Sequence, residues 1–180
     1  VTARRAPTKP RAKRRGGGSK AKGTLLEHCV ESLGALGFHE YTNKSFKEAE
    51  VVGARYVVRG YRHLTLYGTP GSKEALIVAP DSSGLFVPDD DGLARVVMEA
   101  KWQAISGSVD EKFPFVWEAF LVSPIRNWIV VIDGPFWKTT RGLAAVAWLR
   151  ARRPVPEKRR FHVVDRRGFH DLVRRAWGQS

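Results

Sequence analysis

From Thr24 onward, apolar residues recur at helical spacing: Leu25, Leu26, Cys29, Val30, Leu33 and Leu36 fall on one stripe that stops near Gly37. That pattern predicts a first helix. Residues 56–67 and 74–78 are rich in β-branched and aromatic side chains and read as strands; a polar Pro/Asp/Gly stretch over 80–92 separates them from a further strand over 94–103. Ser108-Val109-Asp110-Glu111 has the form of a capping box, which would open a helix running to about Leu121. Beyond it the pattern gives a buried strand at Asn127–Asp133, a helix at Thr140–Arg150, a short strand at 161–164 and a last helix at 169–177. The order is helix, three strands, helix, strand, helix, strand, helix. It predicts an α/β layer around one central mixed sheet, without internal repeats.

With 180 residues, 43% of them hydrophobic, the chain can build one ordinary domain with a single core. Its longest apolar runs, 128–133 and 143–149, are far too short for a membrane span, and no charged-then-apolar signal segment opens the sequence, so a cytoplasmic protein is expected. The lone Cys29 excludes an internal disulfide and multi-cysteine zinc patterns, and the five histidines have no metal-site spacing. Charge changes the picture more. Thirty-one Lys and Arg against 18 Asp and Glu leave +13, a balance suited to a polyanionic partner, nucleic acid first; basic surfaces also simply promote solubility. Through Gly23 there are nine basic residues and no acidic one, with Pro7, Pro10 and Gly16-Gly17-Gly18 among them. This predicts a disordered basic arm over 1–23 and a globular domain over 24–180, with Arg14 and Arg15 among the arm's candidate phosphate contacts; a solvated tail would look the same.

Alternation along 94–103 puts Val97, Glu99, Lys101 and Gln103 on one face and Val96, Met98, Ala100 and Trp102 on the other. A glutamate and a lysine two apart, on a strand this apolar, cost stability unless they are paired or put to use. Phosphodiester hydrolysis is one use, because it needs hard oxygen ligands for a magnesium ion and an adjacent group that positions water. Glu99 offers the ligand and Lys101 the group. The preceding strand, paired through the loop at 79–93, would bring a second carboxylate, for which Glu74 and Asp81 both qualify. Pro88-Asp89-Asp90-Asp91-Gly92 reads as turn chemistry.

Glu99-Ala100-Lys101-Trp102-Gln103 followed by Ser106-Gly107-Ser108-Val109-Asp110-Glu111-Lys112 resembles a bacterial family of PD-(D/E)XK nucleases with the pattern E-x-K-W-Q, then S-G-S-V-D-E-K. Weaker similarity extends through 67–74, Val130-Val131-Ile132-Asp133-Gly134 and Ala147-Trp148-Leu149, so the likeness spans roughly residues 60–175. The resemblance implies a restriction-endonuclease-like core, a central mixed sheet flanked by helices on both faces. It implies Glu74 as the first acidic ligand, although the family pattern has aspartate in its name and Pro80-Asp81 supplies the literal letters. It further implies Glu99 as second ligand, the carbonyl of Ala100 as a third, Lys101 orienting the attacking water, Gln103 extending the face, and Mg2+ as cofactor with Mn2+ as substitute. Many nucleases of this fold add a glutamate from the first helix. At 100° per residue Glu27 lies roughly 135° from the centre of the apolar stripe and Glu31 about 175°, which favours Glu27; a glutamate near a helix N-terminus also simply suits the macrodipole.

Ser106, Ser108 and Lys112 are candidate nucleic-acid contacts, although Ser108 and Glu111 also fit a plain helix cap. Trp117, Trp128, Trp137, Trp148 and Trp177 lie in apolar periodic contexts and are expected to pack rather than stack on bases. Arg150, Arg152, Arg153, Lys158, Arg159 and Arg160 would flank DNA or line a solvated loop; His162 and His170 are isolated. The expected activity is metal-dependent endonucleolytic cleavage of double-stranded DNA, of restriction, mobile-element or repair type. The alternatives are a structure-selective junction nuclease and a non-catalytic DNA-binding module. Cutting two strands with one small site calls for a homodimer.

Overall fold

A computed structural model describes residues 17–42, 55–61, 74–105, 112–152 and 158–178. The described chain runs α1 (Gly17–Gly34), β1 (His39–Thr42), β2 (Tyr56–Tyr61), β3 (Glu74–Pro80), β4 (Leu93–Trp102), α2 (Phe113–Val122), β5 (Asn127–Asp133), a 3-10 turn (Pro135–Lys138), α3 (Thr140–Arg150), β6 (Arg160–Asp165) and α4 (Arg166–Trp177). Its six strands form one sheet in chain order, β1-β2-β3-β4-β5-β6. The β2–β3 and β3–β4 pairs are antiparallel, while β1–β2, β4–β5 and β5–β6 are parallel, so the sheet is mixed and β4 lies inside it.

The two faces of β4 belong to different cores. Val96, Met98 and Ala100 join Val57, Ala75, Ile77, Ile129 and Val131 beneath α1 (Leu25, Cys29, Val30, Leu33) and α4 (Phe169, Leu172, Val173, Trp177). Val97 points the opposite way, with Trp128, Val130 and Ile132, against α2 (Phe113, Val116, Phe120) and α3 (Val146, Leu149). Each fully buried large apolar side chain contributes roughly 1.5–3 kcal/mol. Helices on both faces explain why β3, β4 and β5 read as nearly continuous apolar runs. The α/β layer with a central mixed sheet is as expected.

Three boundaries differ from expectation. Strand β1 has no apolar alternation, only exposed and half-buried His39-Glu40-Tyr41-Thr42, and is held by parallel pairing to β2. Helix α1 begins at Gly17, inside the stretch expected to be a disordered arm; Lys20, Ala21 and Lys22 are good helix formers and prolong it N-terminally. Helix α2 begins at Phe113, with Lys112 before it making no side-chain cap and Pro114 in its first turn; the expected cap at Ser108 lies outside the described residues. Residues 106–111 lie outside the described residues, as do Arg14, Arg15 and Arg153. No helix of the described residues is long and apolar enough to cross a membrane.

The loop between β3 and β4 is built, not slack. Asp81 accepts from the backbone N–H groups of Ser83 (2.8 Å) and Phe86 (2.7 Å) and from the Ser83 hydroxyl. Phe86 is thereby turned into the core, stacked 5.1 Å from Trp177. Asp89 takes Arg95 and Arg126, Asp91 takes Arg95, and buried Asn127 bonds both the N–H and the carbonyl of Val87. The Arg95 guanidinium holds the Asp91 carboxyl down at about 2.

Candidate active site

Strand β4 carries Glu99 and Lys101 on the Val97 face, where sheet and helices exclude water, and Gln103 follows directly at its end. Their relative exposures are 3%, 8% and 6%. The β3–β4 register pairs Ala75 with Met98 and Leu76 with Val97. Continued by one residue, it sets Glu74, itself 1% exposed, across from Glu99 on the same face, a separation of about 5 Å between Cβ atoms. Two carboxylates so close in a dry environment repel, and Lys101 answers them with an ion pair to Glu99. The charges are too buried for a decorative surface pair.

Neighbouring backbone fixes this face. At Gly60 (φ +76°) the β2–β3 register shifts between Arg59 and Tyr61, and Tyr61 comes to pair with Glu74; such bulges re-aim side chains beside a site. At the end of β4, the Gln103 N–H donates to the Asp133 carbonyl (3.0 Å), and its carbonyl accepts from Phe136 N–H (3.2 Å). Gly134 makes this approach feasible: it sits at φ +110°, and a Cβ there would meet the Gln103 oxygen at 2.3 Å. The Gln103 amide donates to the Ile105 carbonyl (2.7 Å), while its Oε1 is buried with no hydrogen-bond partner among the described residues.

The residues present fit a divalent cation. Two carboxylates with a backbone carbonyl nearby are the hard oxygen donors such an ion takes, and an unused amide oxygen on the same face suits a coordinated or ordered water. Among the described residues no group of three or more His, Cys, Asp and Glu comes together, so the acidic set here is the pair Glu74 and Glu99.

Other expected residues stand elsewhere. Asp81 lies seven residues along from Glu74, about 23 Å at strand rise, and is spent on its loop. Glu27 is on α1, which packs against the opposite face of the sheet; its half-exposed carboxylate is 3.8 Å from Arg59, which also pairs with Glu40 at 3.0 Å. The apolar stripe of α1 set its facing, and the stripe serves the other core. Arg159 donates to the carbonyls of Phe120 and Ser123, closing the C-terminal end of α2, and Arg150 donates to Val163; these arginines fasten elements together. Trp128, Trp137 and Trp177 are buried and Trp117 packs between Phe120 and Phe161, while Trp148 is 38% exposed beneath Arg152. Sequence reasoning missed Gly60 and Gly134, whose roles depend on backbone conformation. An Asp-Gly pair ending an apolar strand was the one available signal for Gly134.

A cleft of about 740 Å³ opens beside this site, past the carboxyl ends of β5 and β6, with Lys138, Arg150, Arg166 and Arg167 among its walls. Burial raises the Cys29 thiol to about 12, which removes it from any nucleophilic role. No curated protein and no solved structure matches the chain. A family model for the PD-(D/E)XK nuclease superfamily domain matches residues 18–174. With that match over most of its length, and with a mixed sheet whose inner strand carries the acid-x-lysine pair, the chain belongs to the PD-(D/E)XK nuclease superfamily.

Proposed function

We propose that the protein is a divalent-metal-dependent endonuclease that hydrolyses phosphodiester bonds of double-stranded DNA, with Mg2+ as the natural ion and Mn2+ as a substitute. The observation that carries this reading is the buried quartet on one face: Glu74 across from Glu99, then Lys101 and Gln103 at two-residue steps. Glu74, Glu99 and the carbonyl of Ala100 would hold the ion. When bound, a divalent cation supplies Lewis-acid stabilisation of the phosphoryl oxygens and lowers the pKa of water. Lys101 then has two tasks on this chain's side. Its ammonium orients the attacking water by donating hydrogen bonds, and it balances the charge that Glu99 and the phosphate bring together. Gln103 Oε1 accepts a hydrogen bond from that water or from the substrate. Cleavage of the 3′ O–P bond by in-line water leaves a 5′-phosphate and a 3′-hydroxyl.

The intact quartet argues against a fold kept for DNA grip alone. The junction-selective reading draws on small size and on Glu27, which lies on α1 beside Arg59. Two such sites in a homodimer would serve the two strands of a duplex.

The test is cleavage of supercoiled plasmid, linear duplex and a branched junction with Mg2+, Mn2+ or EDTA, with Lys101→Ala alongside. Cutting that needs the metal and is lost in the variant is expected, with duplex substrates preferred. Wild-type protein that binds these DNAs and cuts none in either metal would overturn the reading.

A further inference from the structure

The parallel strands β4, β5 and β6 all end at the same side of the sheet, where ligands of α/β proteins commonly sit. The cleft there is bounded by Ile132 and Asp133, whose register partners on β4 are Lys101 and Trp102. It therefore begins one strand, about 4.8 Å, from the lysine of the site. Lys138, Arg166 and Arg167 are exposed on its walls, and among the described residues none of them forms an ion pair. The two aspartates of the cleft are turned to backbone: Asp133 accepts from Gly134 N–H and Asp165 from Gly168 N–H, each at 2.7 Å.

Arg166 and Arg167 also stand where stability alone would not put them. They occupy the first turn of α4, where two cations face the positive end of the helix dipole behind the single carboxylate of the Asp165 N-cap. Arg174 and Arg175 in the last turn are placed as the dipole prefers.

We propose that this cleft is the seat of the nucleic-acid backbone beside the scissile bond, with Lys138, Arg166 and Arg167 each contacting phosphate. The proposal rests on the nuclease reading for its substrate and extends it to a surface. A phosphate chain entering the cleft reaches Lys101 by crossing β5. The unfavourable arginines at the α4 start are then offset by anionic charge. Contacts of this kind set position and orientation without reading sequence.

The full chain in EDTA, titrated with a fluorescein-labelled duplex and read by anisotropy over a salt series, tests this in two matched variants. Arg166→Ala/Arg167→Ala removes two charges from the cleft; Arg174→Ala/Arg175→Ala removes two from the far end of the same helix. The cleft pair is expected to lower the log affinity against log salt slope by about 2, and affinity about tenfold or more, while the far pair leaves the slope unchanged. Thermal melting of the cleft variant should be unchanged or slightly higher, the opposite of a structural role. A folded cleft variant with wild-type slope and affinity, or equal losses from both pairs, overturns the proposal. So does unchanged duplex binding where inorganic phosphate raises the melting temperature only in protein retaining Arg166 and Arg167, which would mark a small-anion site. Plasmid cleavage in Mg2+ run in parallel separates the two readings. Cutting with an unaltered slope sinks the cleft alone, whereas a slope lost without any wild-type cutting sinks the nuclease and keeps the cleft.

Discussion

Glu74 and Glu99 face each other in a part of the sheet where an uncharged pair would pack better. Their like charges repel in this dry setting, and the Lys101 ammonium, paired with Glu99, offsets that in part. Glu74→Gln keeps the shape and removes one charge. It is expected to raise the melting temperature in EDTA by about 2–4 °C, a gain of roughly 1 kcal/mol, while activity falls by about a hundredfold or more, as for loss of several kcal/mol of transition-state stabilisation. Calorimetry and plasmid cleavage on the same preparation check it, and a variant both less stable and fully active would contradict the assignment. Glu99, Lys101 and Gln103 were legible in sequence because a strand's period of two puts them on one face whatever surrounds it. Glu74 needed the register of β3 against β4, which the resemblance supplied and residue spacing alone could not, since Asp81 fitted the loop equally well. Glu27 shows the limit: helical phase says which side of a helix is apolar, not which face of the sheet receives it.

At the scale of elements, what the sequence concealed is what tertiary pairing creates. Residues 39–42 carry no β pattern and become β1 through β2; the described α2 begins at Phe113 with Pro114 in its first turn. Long periodic or apolar segments such as β5 and α3 were legible to the residue. The β3–β4 loop is clasped to the sheet by Phe86 against Trp177 and His162, and the His162 ring bonds the Leu85 carbonyl at 3.3 Å. Burial there depresses the His162 pKa below its usual 6.5, with Arg160 and Arg175 adding to the effect and the Leu85 bond opposing it. The unfolded chain then binds a proton before the folded one does. Stability from this group is full above about 6.5 and is lost as pH falls from there toward the folded value. Denaturant melts between pH 8 and pH 5, each about one unit apart, should show that loss, and His162→Gln should flatten it. An identical pH profile in the variant would place the dependence elsewhere.

For the whole molecule, a bound ion should act as a stabiliser. At roughly ten times its dissociation constant it contributes about 1.4 kcal/mol, or an upward melting shift of about 3–6 °C for a domain of this size. Mg2+ or Mn2+ should produce that shift in wild-type protein, EDTA should reverse it, and Glu99→Gln should abolish it. A shift that persists in Glu99→Gln would put the ion at another place. Because the strands lie side by side in the order they occur along the chain, Glu74, Glu99, Lys101 and Gln103 are delivered by a single hairpin, residues 74–103. On the proposed reading, the chemistry would travel as one cassette. Its external brace is the hydrogen bonding around Gly134, while the edge strands β1 and β6, each one strand removed from the hairpin, are the parts open to exchange or lengthening. On the proposed reading, new substrates would be acquired by editing those edges, with the four residues of the hairpin left untouched.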